Sequence, residues 1–148
     1  MPRAENECPF CEIVALDDPY VREIYRDEDV VAFFPTEPAV LGHLLVVPKQ
    51  HVPDIWELDC RTGIQLATAT KKMADLINDS LHPDGLNVIQ SNGRAATQTV
   101  FHLHVHLVPR YRGDSMGQIW PDETSFSEVQ KDEAQDLLRR NARKMVLP

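Results

Sequence analysis

The sequence predicts an α+β protein, because short runs typical of β-strands are interspersed with one long amphipathic run and one charged run typical of helices. The length of 148 residues and the 43% of hydrophobic residues suffice for one packed domain. We find no internal repeat and no low-complexity linker. We therefore expect a single domain over residues 1–148, with a core at about 8–112 and a C-terminal tail and helix at 113–148.

The first half of the chain carries three strand-like runs. A short helix is expected just after Cys11, followed by strands at 21–25 and 30–34 around an acidic turn at 27–29. A proline-containing break then precedes the run GHLLVVP at 42–48. Its almost continuous apolar character predicts a buried central strand.

The second half begins with the long helix. The helices and strands expected there are a helix at 61–81, strands at 86–91 and 100–110, and a helix at 127–144. Apolar spacing predicts that the buried face of the first helix contains Ile64, Ala67, Met73, Leu76 and Ile77. Ser127 and Gln130 are spaced for a capping box at the start of the last helix.

Charge and cysteine content exclude several classes of protein. A formal net charge of −8 does not attract DNA or RNA, since binding a polymer of phosphates needs clustered lysine and arginine. No apolar run is long enough to cross a membrane, and the N-terminus lacks a signal pattern. With three cysteines, a disulfide framework is not expected. We expect a cytoplasmic protein whose partner is a small molecule.

The most informative stretch is FHLHVHLV at 101–108. Strand periodicity places His102, His104 and His106 on one face, and Leu103, Val105 and Leu107 on the other face, against a core. Three neighbouring imidazoles are costly, because each needs hydrogen-bond partners and adjacent cations repel. Two chemistries account for them: a metal site built from the three rings, or a nucleophilic histidine with flanking groups that bind an oxyanion.

A second group of candidate ligands starts at Cys8 and Cys11, whose Cys-x-x-Cys spacing suits a metal. Alone this pair is a weak signal, and a redox pair or two free thiols remain open. His51 and His102 are the candidate partners. A set of two cysteines and two histidines makes a closed tetrahedral site, which is structural and not catalytic.

The pattern His-φ-His-φ-His-φ-φ, where φ is apolar, resembles the signature of the histidine triad (HIT) family of nucleotide hydrolases and transferases. The similarity extends to GHLLVVPKQH at 42–51, to Asn92-Gly93 and to Gln98-Thr99-Val100, and covers about residues 8–110. It implies a mostly antiparallel five-stranded sheet with one long helix and a C-terminal helix. It also implies a homodimer and, as in zinc-containing members, structural zinc on the two cysteines with His51 and His102.

The resemblance assigns roles to individual residues. His104 attacks the α-phosphorus of a purine nucleotide and forms a nucleotidyl-histidine, which water or another acceptor then resolves. His106 contacts phosphate oxygens or helps to protonate the leaving group. The remaining substrate-binding candidates implied are His43, Asn92, Gln98 and Thr99. A local structural role for each of these four remains open.

The substrate is less well indicated. Residues 107–114 resemble the dinucleoside polyphosphate hydrolase branch, where Arg110 and Arg112 would neutralise a longer phosphate chain; nucleoside phosphoramidates are the next candidate. Pro35 stands where family members often carry a ribose-binding acid, and Glu37 is the nearest substitute. Two other functions remain open: a nucleotide-binding regulator with little turnover, and a hydrolase that depends on zinc held by the triad.

Overall fold

The computed structural model describes residues 7–145, so the first six and last three residues of the predicted domain lie outside the described part. The chain divides into two compact units, Met1–Met116 and Gly117–Pro148. This boundary lies close to the predicted end of the core. The organisation as a single domain over 1–148 stays a prediction.

The first unit is built on one antiparallel sheet. Its strands are β1 (Arg22–Arg26), β2 (Val30–Phe34), β3 (Leu44–Pro48), β4 (Gly85–Gln90) and β5 (Val105–Arg110). Their order is β1-β2-β3-β5-β4, and every neighbouring pair is antiparallel. The prediction of an α+β fold with a mostly antiparallel five-stranded sheet is confirmed.

Helix α2 (Cys60–Leu81) covers one face of this sheet. Asp59 caps it by accepting the Thr62 N–H, and His82 ends it in the left-handed conformation. The residues it buries are Thr62, Leu66, Ala69, Met73 and Ile77, which pack on Leu103, Val105 and Leu107 among others. The predicted face was therefore partly wrong: Met73 and Ile77 are buried, but Ile64, Ala67 and Leu76 are exposed. Apolar residues lie on two adjoining faces, and spacing alone does not choose between them.

The opposite face of the sheet is covered by much less structure. Helix α1 (Pro9–Val14) begins earlier than predicted and contributes Phe10 and Ile13 to a second apolar cluster. The sheet contributes Val31, Phe33, Leu45 and Val47 to it. This cluster lies on the same face as the predicted histidines, because Leu45 pairs with His106 across the ladder.

Strand β5 begins at Val105, five residues later than predicted. Continuing the register that pairs Val46 with Val105 would place Pro48 opposite Leu103. Pro48 has no N–H to donate, so the ladder cannot continue there. The Leu103 N–H bonds the Val52 carbonyl instead, at 2.6 Å. His102 and His104 therefore lie in an extended segment that leads into the strand, while Leu103 still faces the core as the alternation predicts.

The second unit contains helix α3 (Glu128–Ala142). Ser127 and Gln130 form the predicted capping box, with each side chain bound to the other residue's backbone N–H. No residue of α3 is buried. Across residues 7–145, none of the helices is long and apolar enough to cross a membrane.

The backbone conformation and the close neighbours at position 42, just before β3, both require a glycine there. Its φ is +92°, and a Cβ there would overlap the Leu81 Cδ1 and lie 3.3 Å from the Pro109 Cγ. We expect Gly42→Ala to lower the free energy of unfolding by about 2–4 kcal/mol, measured by urea denaturation. Gly113→Ala is the matched control, since its φ is +80° with nothing within 4 Å. Equal losses in both variants would contradict the overlap with Leu81.

Candidate active site and metal centre

Five of the six histidines lie in two adjacent groups. One group contains His43, His104 and His106, and the other contains His51 and His102 with Cys8 and Cys11. His102 and His104 are buried in the segment before β5, and His106 is half-buried within β5 itself. His43, buried, immediately precedes β3, and His51 follows that strand. The neighbouring strands β3 and β5 thus bring together residues that are about sixty positions apart in sequence.

His104 has a defined tautomer. Its Nδ1 lies 2.7 Å from the backbone oxygen of His102, and a carbonyl can only accept, so Nδ1 carries the proton. Burial lowers the pKa of His104, although the bond to His102 opposes that shift. The neutral ring therefore keeps a lone pair on Nε2, as a nucleophilic imidazole requires.

His43 and His106 form a directed pair. The backbone N–H of Ala39 donates to His43 Nδ1 at 3.1 Å, so in the neutral ring the proton is on Nε2. His43 Nε2 in turn donates to His106 Nδ1 at 2.9 Å. The remaining His106 nitrogen, Nε2, must then carry a proton. His106 thus presents a donor beside His104, with ring centroids 4.9 Å apart.

Burial keeps these rings uncharged. It lowers the pKa of His43 and, together with the repulsion that protonated His104 and His43 would exert, lowers the pKa of His106 to about 4. Neutral imidazoles can lie side by side without the repulsion between cations that made the triad costly in sequence terms. The rings of His43, His104 and His106 each also have a hydrogen-bond partner.

The loop after β4 holds the other predicted substrate-binding residues. Gln98 is 3% exposed; its Oε1 accepts the Gly93 N–H, and its Nε2 donates to the carbonyls of Pro53 and Val100. Asn92 forms a reciprocal amide pair with Gln90 and accepts the Ile55 N–H. Thr99 is exposed. These contacts use the side chains of Gln98 and Asn92 to shape the loop, and they leave the Thr99 hydroxyl accessible.

The four predicted metal ligands converge on one point. The Sγ atoms of Cys8 and Cys11 lie 3.6 and 3.5 Å from His102 Nδ1, and Cys11 Sγ lies 3.3 Å from His51 Nδ1. All four ligand atoms are within 4.8 Å of one another. A tetrahedral zinc site, with bonds of about 2.0–2.3 Å, separates its ligands by about 3.3–3.8 Å. The group therefore fits a metal ion. Among residues 7–145, the triad does not form such a group.

His102 connects the two groups. Its Nε2 donates to the Pro48 carbonyl at 2.7 Å, which leaves the Nδ1 lone pair facing the cysteines. Burial lowers the pKa of His102 to about 4, against the opposing effect of its bond to Pro48. A neutral, correctly oriented imidazole is the form that binds a metal.

Phe10 is a residue that the sequence analysis did not identify. Its ring lies edge-on to His104, with centroids 5.1 Å apart and planes at 89°, and it also contacts His102 and Phe33. The available signal was its position between the two cysteines. Of the residues proposed for phosphate and ribose, Arg110 binds Asp114 and Asn87, and Glu37 is exposed.

Comparisons with known proteins agree with this geometry. A family model described as HIT domain matches residues 20–113. The protein named hit of Bacillus subtilis is 37% identical over 143 residues, which cover 96% of each chain. Adenylylsulfatase HINT3 of Arabidopsis thaliana is 29% identical over 120 residues, covering 81% of this chain and 59% of that protein.

A solved structure adds a relative that binds zinc. A Zn-bound histidine triad family protein from Mycobacterium smegmatis is 32% identical, with a TM-score of 0.71, over 95% of this chain and 99% of that chain. The family model covers more than half of the chain, and the Bacillus subtilis relative matches nearly all of it. The chain therefore belongs to the HIT domain family.

Proposed function

We propose that this protein is a nucleotide hydrolase or nucleotidyl transferase that acts at the α-phosphorus through a nucleotidyl intermediate on His104. The observation that carries the proposal is the pair of tautomers described above. His104 offers a lone pair on Nε2, and His106 offers a proton on Nε2 beside it. A nucleophile next to a hydrogen-bond donor is the arrangement that phosphoryl transfer requires.

The reaction has two steps. His104 Nε2 attacks the α-phosphorus, an N–P bond forms, and the bond between phosphorus and the leaving group breaks. The His102 carbonyl stabilises the positive charge that develops on the His104 ring, and the His106 N–H donates to a phosphate oxygen or protonates the leaving group. Water then attacks the same phosphorus, the N–P bond breaks, and the nucleoside monophosphate leaves with the lone pair restored to His104 Nε2. Another acceptor in place of water would give transfer.

The substrate is proposed to be a purine nucleotide. The name of the Arabidopsis relative, adenylylsulfatase, supports an adenylyl group as the part transferred. Binding of Arg110 to Asp114 and Asn87 weakens the argument for a long phosphate chain. Dinucleoside polyphosphates and nucleoside phosphoramidates therefore stand as comparable candidates. Thr99 is the predicted side-chain donor that remains accessible to phosphate oxygens, and Gln98 and Asn92 position its loop.

The metal centre is proposed to hold structural zinc on Cys8, Cys11, His51 and His102. The separations of the ligand atoms and the Zn-bound relative support this metal. Bound zinc would cross-link α1 to the segments that follow β3 and precede β5. Four protein ligands leave no open position for a substrate, so the geometry does not favour the zinc-dependent hydrolase.

A homodimer is proposed through the edge strand β4. The other edge, β1, carries three charged residues and a bulge, which protect it from pairing, whereas β4 has no charged residue. Beside β4 an open apolar groove of about 490 Å³ is lined by Leu66, Ala67, Ala74, Val88, Leu103 and Val105, among others. Pairing of two β4 strands would give hydrogen-bond partners to the unpaired backbone groups of this edge and would cover the groove.

The covalent step is testable by intact-protein mass spectrometry after brief mixing with a panel of adenosine and guanosine nucleotides. We expect a transient gain of one nucleoside monophosphate on the wild type, no gain on His104→Ala, and a rate of product formation at least ~10³-fold lower in that variant. His82→Asn, at the exposed C-cap of α2, is the control. Wild-type nucleotide binding without product under any condition would favour the regulatory function.

Zinc is testable by metal analysis and thermal unfolding. We expect one zinc per chain in the wild type, loss of zinc in Cys11→Ser and a fall in Tm of about 5–10 °C, because the folded state loses a bound ligand. Cys60→Ser, at the exposed start of α2, keeps the metal and the Tm. Full zinc occupancy in Cys11→Ser would exclude this ligand set.

The homodimer is testable by light scattering on the purified protein. We expect Val88→Lys, which places a charge on the β4 edge, to convert dimers to monomers, because a buried unpaired charge opposes association. Ile24→Lys makes the same change at the opposite edge strand and retains the dimer. A wild type that is monomeric at micromolar concentration would refute the proposal.

A further inference from the structure

We propose that the Cys8–Cys11 metal centre positions the nucleophile His104, with Phe10 as the positioning residue between them. This inference rests on the proposed function, because it assigns the metal centre a part in the reaction that His104 performs. Two independent contacts connect the centre to the His104 ring. One passes through the side chain of Phe10 and the other through the backbone of His102.

The first contact follows from the position of Phe10 between the two cysteines. Its neighbours Cys8 and Cys11 both face the metal position, so binding of a metal fixes the backbone on either side of it. Its ring then lies edge-on against His104 at 5.1 Å, while Phe33 of β2 holds the ring from the sheet side at 5.3 Å. Phe10 is 8% exposed, so it is confined between the sheet and the histidine ring.

The second contact passes through His102. Its side chain is a predicted metal ligand, and its backbone oxygen accepts the proton of His104 Nδ1. A metal bound to the His102 ring would therefore restrain the same residue whose carbonyl sets the tautomer of His104. The two contacts restrain different properties: Phe10 restrains the plane of the His104 ring, and His102 restrains which nitrogen carries the proton.

The metal has this influence at the start of α1, because the other polar tie of the helix lies at its end, where Arg26 of β1 donates to the carbonyls of Ile13 and Val14. The helix has six residues and buries two of them, Phe10 and Ile13. So short a helix is not stable by its own hydrogen bonds, and its place on the sheet depends on side-chain contacts and on the metal ligands that flank Phe10. Loss of the metal would therefore release Phe10 from His104 while the sheet and α2 remain folded.

The test compares two variants of the zinc-loaded protein. Phe10→Leu removes the aromatic ring that contacts His104 but keeps an apolar side chain. The control, Ile13→Ala, truncates a side chain of the same apolar cluster that offers no aromatic ring to His104. Zinc content and Tm are measured first, so that loss of metal or of fold is recognised. Turnover is then measured with the nucleotide that the wild type cleaves, and the tautomer of His104 by ¹⁵N NMR of its ring nitrogens at one fixed pH.

We expect Phe10→Leu to retain zinc but to lose about tenfold or more in kcat with little change in KM, because a misoriented nucleophile affects the reaction more than binding. Its His104 should keep a single tautomer, because bound zinc still fixes the His102 carbonyl, whereas zinc-free wild type should show both tautomers. Ile13→Ala should keep the wild-type kcat and a single His104 tautomer, even if its Tm falls further.

Wild-type kcat in Phe10→Leu, or a single His104 tautomer in zinc-free wild type, would overturn the proposal. An equal fall of kcat in Ile13→Ala would also overturn it, since the effect would then come from general destabilisation. If the wild type turns over no nucleotide, the proposed function fails. The ring-nitrogen spectra of the zinc-loaded and zinc-free protein would still decide whether the metal positions His104.

Discussion

The hydrogen bond from the His102 ring to the Pro48 carbonyl is the contact on which both sites depend. It is fully buried, and it leaves the other ring nitrogen of His102 to face the cysteines. It also occurs where the β3–β5 ladder ends, because Pro48 has no N–H to continue the ladder. The segment released from the sheet carries His104, whose proton bonds the backbone oxygen of the same His102. One residue, His102, thus presents its ring to the cysteines as a proposed metal ligand and its carbonyl to the proposed nucleophile, His104.

Burial then determines how these histidines behave. An acidic protein would be expected to favour protonated imidazoles through its overall field, yet the pKa of each ring in the triad is lowered by desolvation. Neutral rings have one donor and one acceptor each, so every hydrogen bond specifies a tautomer. The backbone N–H of Ala39 determines the tautomer of His43, and His43 in turn determines the tautomer of His106, which lies on β5. The reactivity of the site therefore depends on backbone geometry more than on charged neighbours.

Local patterns predicted much of this arrangement. The alternation around His104 placed Leu103 in the core, and the spacing of Ser127 and Gln130 predicted the start of α3, because period and capping depend on neighbours in sequence. The late start of β5 was not predictable, since it depends on a proline in a different strand. The side chain of Gln98 likewise satisfies carbonyls that include Pro53, 45 residues away, and no local signal distinguishes that from substrate binding. Phe10 was missed because its partner, His104, is even more distant in sequence.

The unequal covering of the two sheet faces gives a reason for the proposed metal centre. A helix of 22 residues packs on one face, and its burial of apolar area is enough to hold it there. On the other face, which carries the histidines proposed to meet a substrate, the helix of the described first unit that packs is the six-residue α1. A segment that short gains too little from apolar contacts to offset the entropy of ordering it. The proposed metal, bound through Cys8 at the N-cap of α1 and Cys11 within it, would add the missing free energy at one point without covering the face. The proposed accessibility of the nucleophile thus accounts for the proposed cross-link beside it.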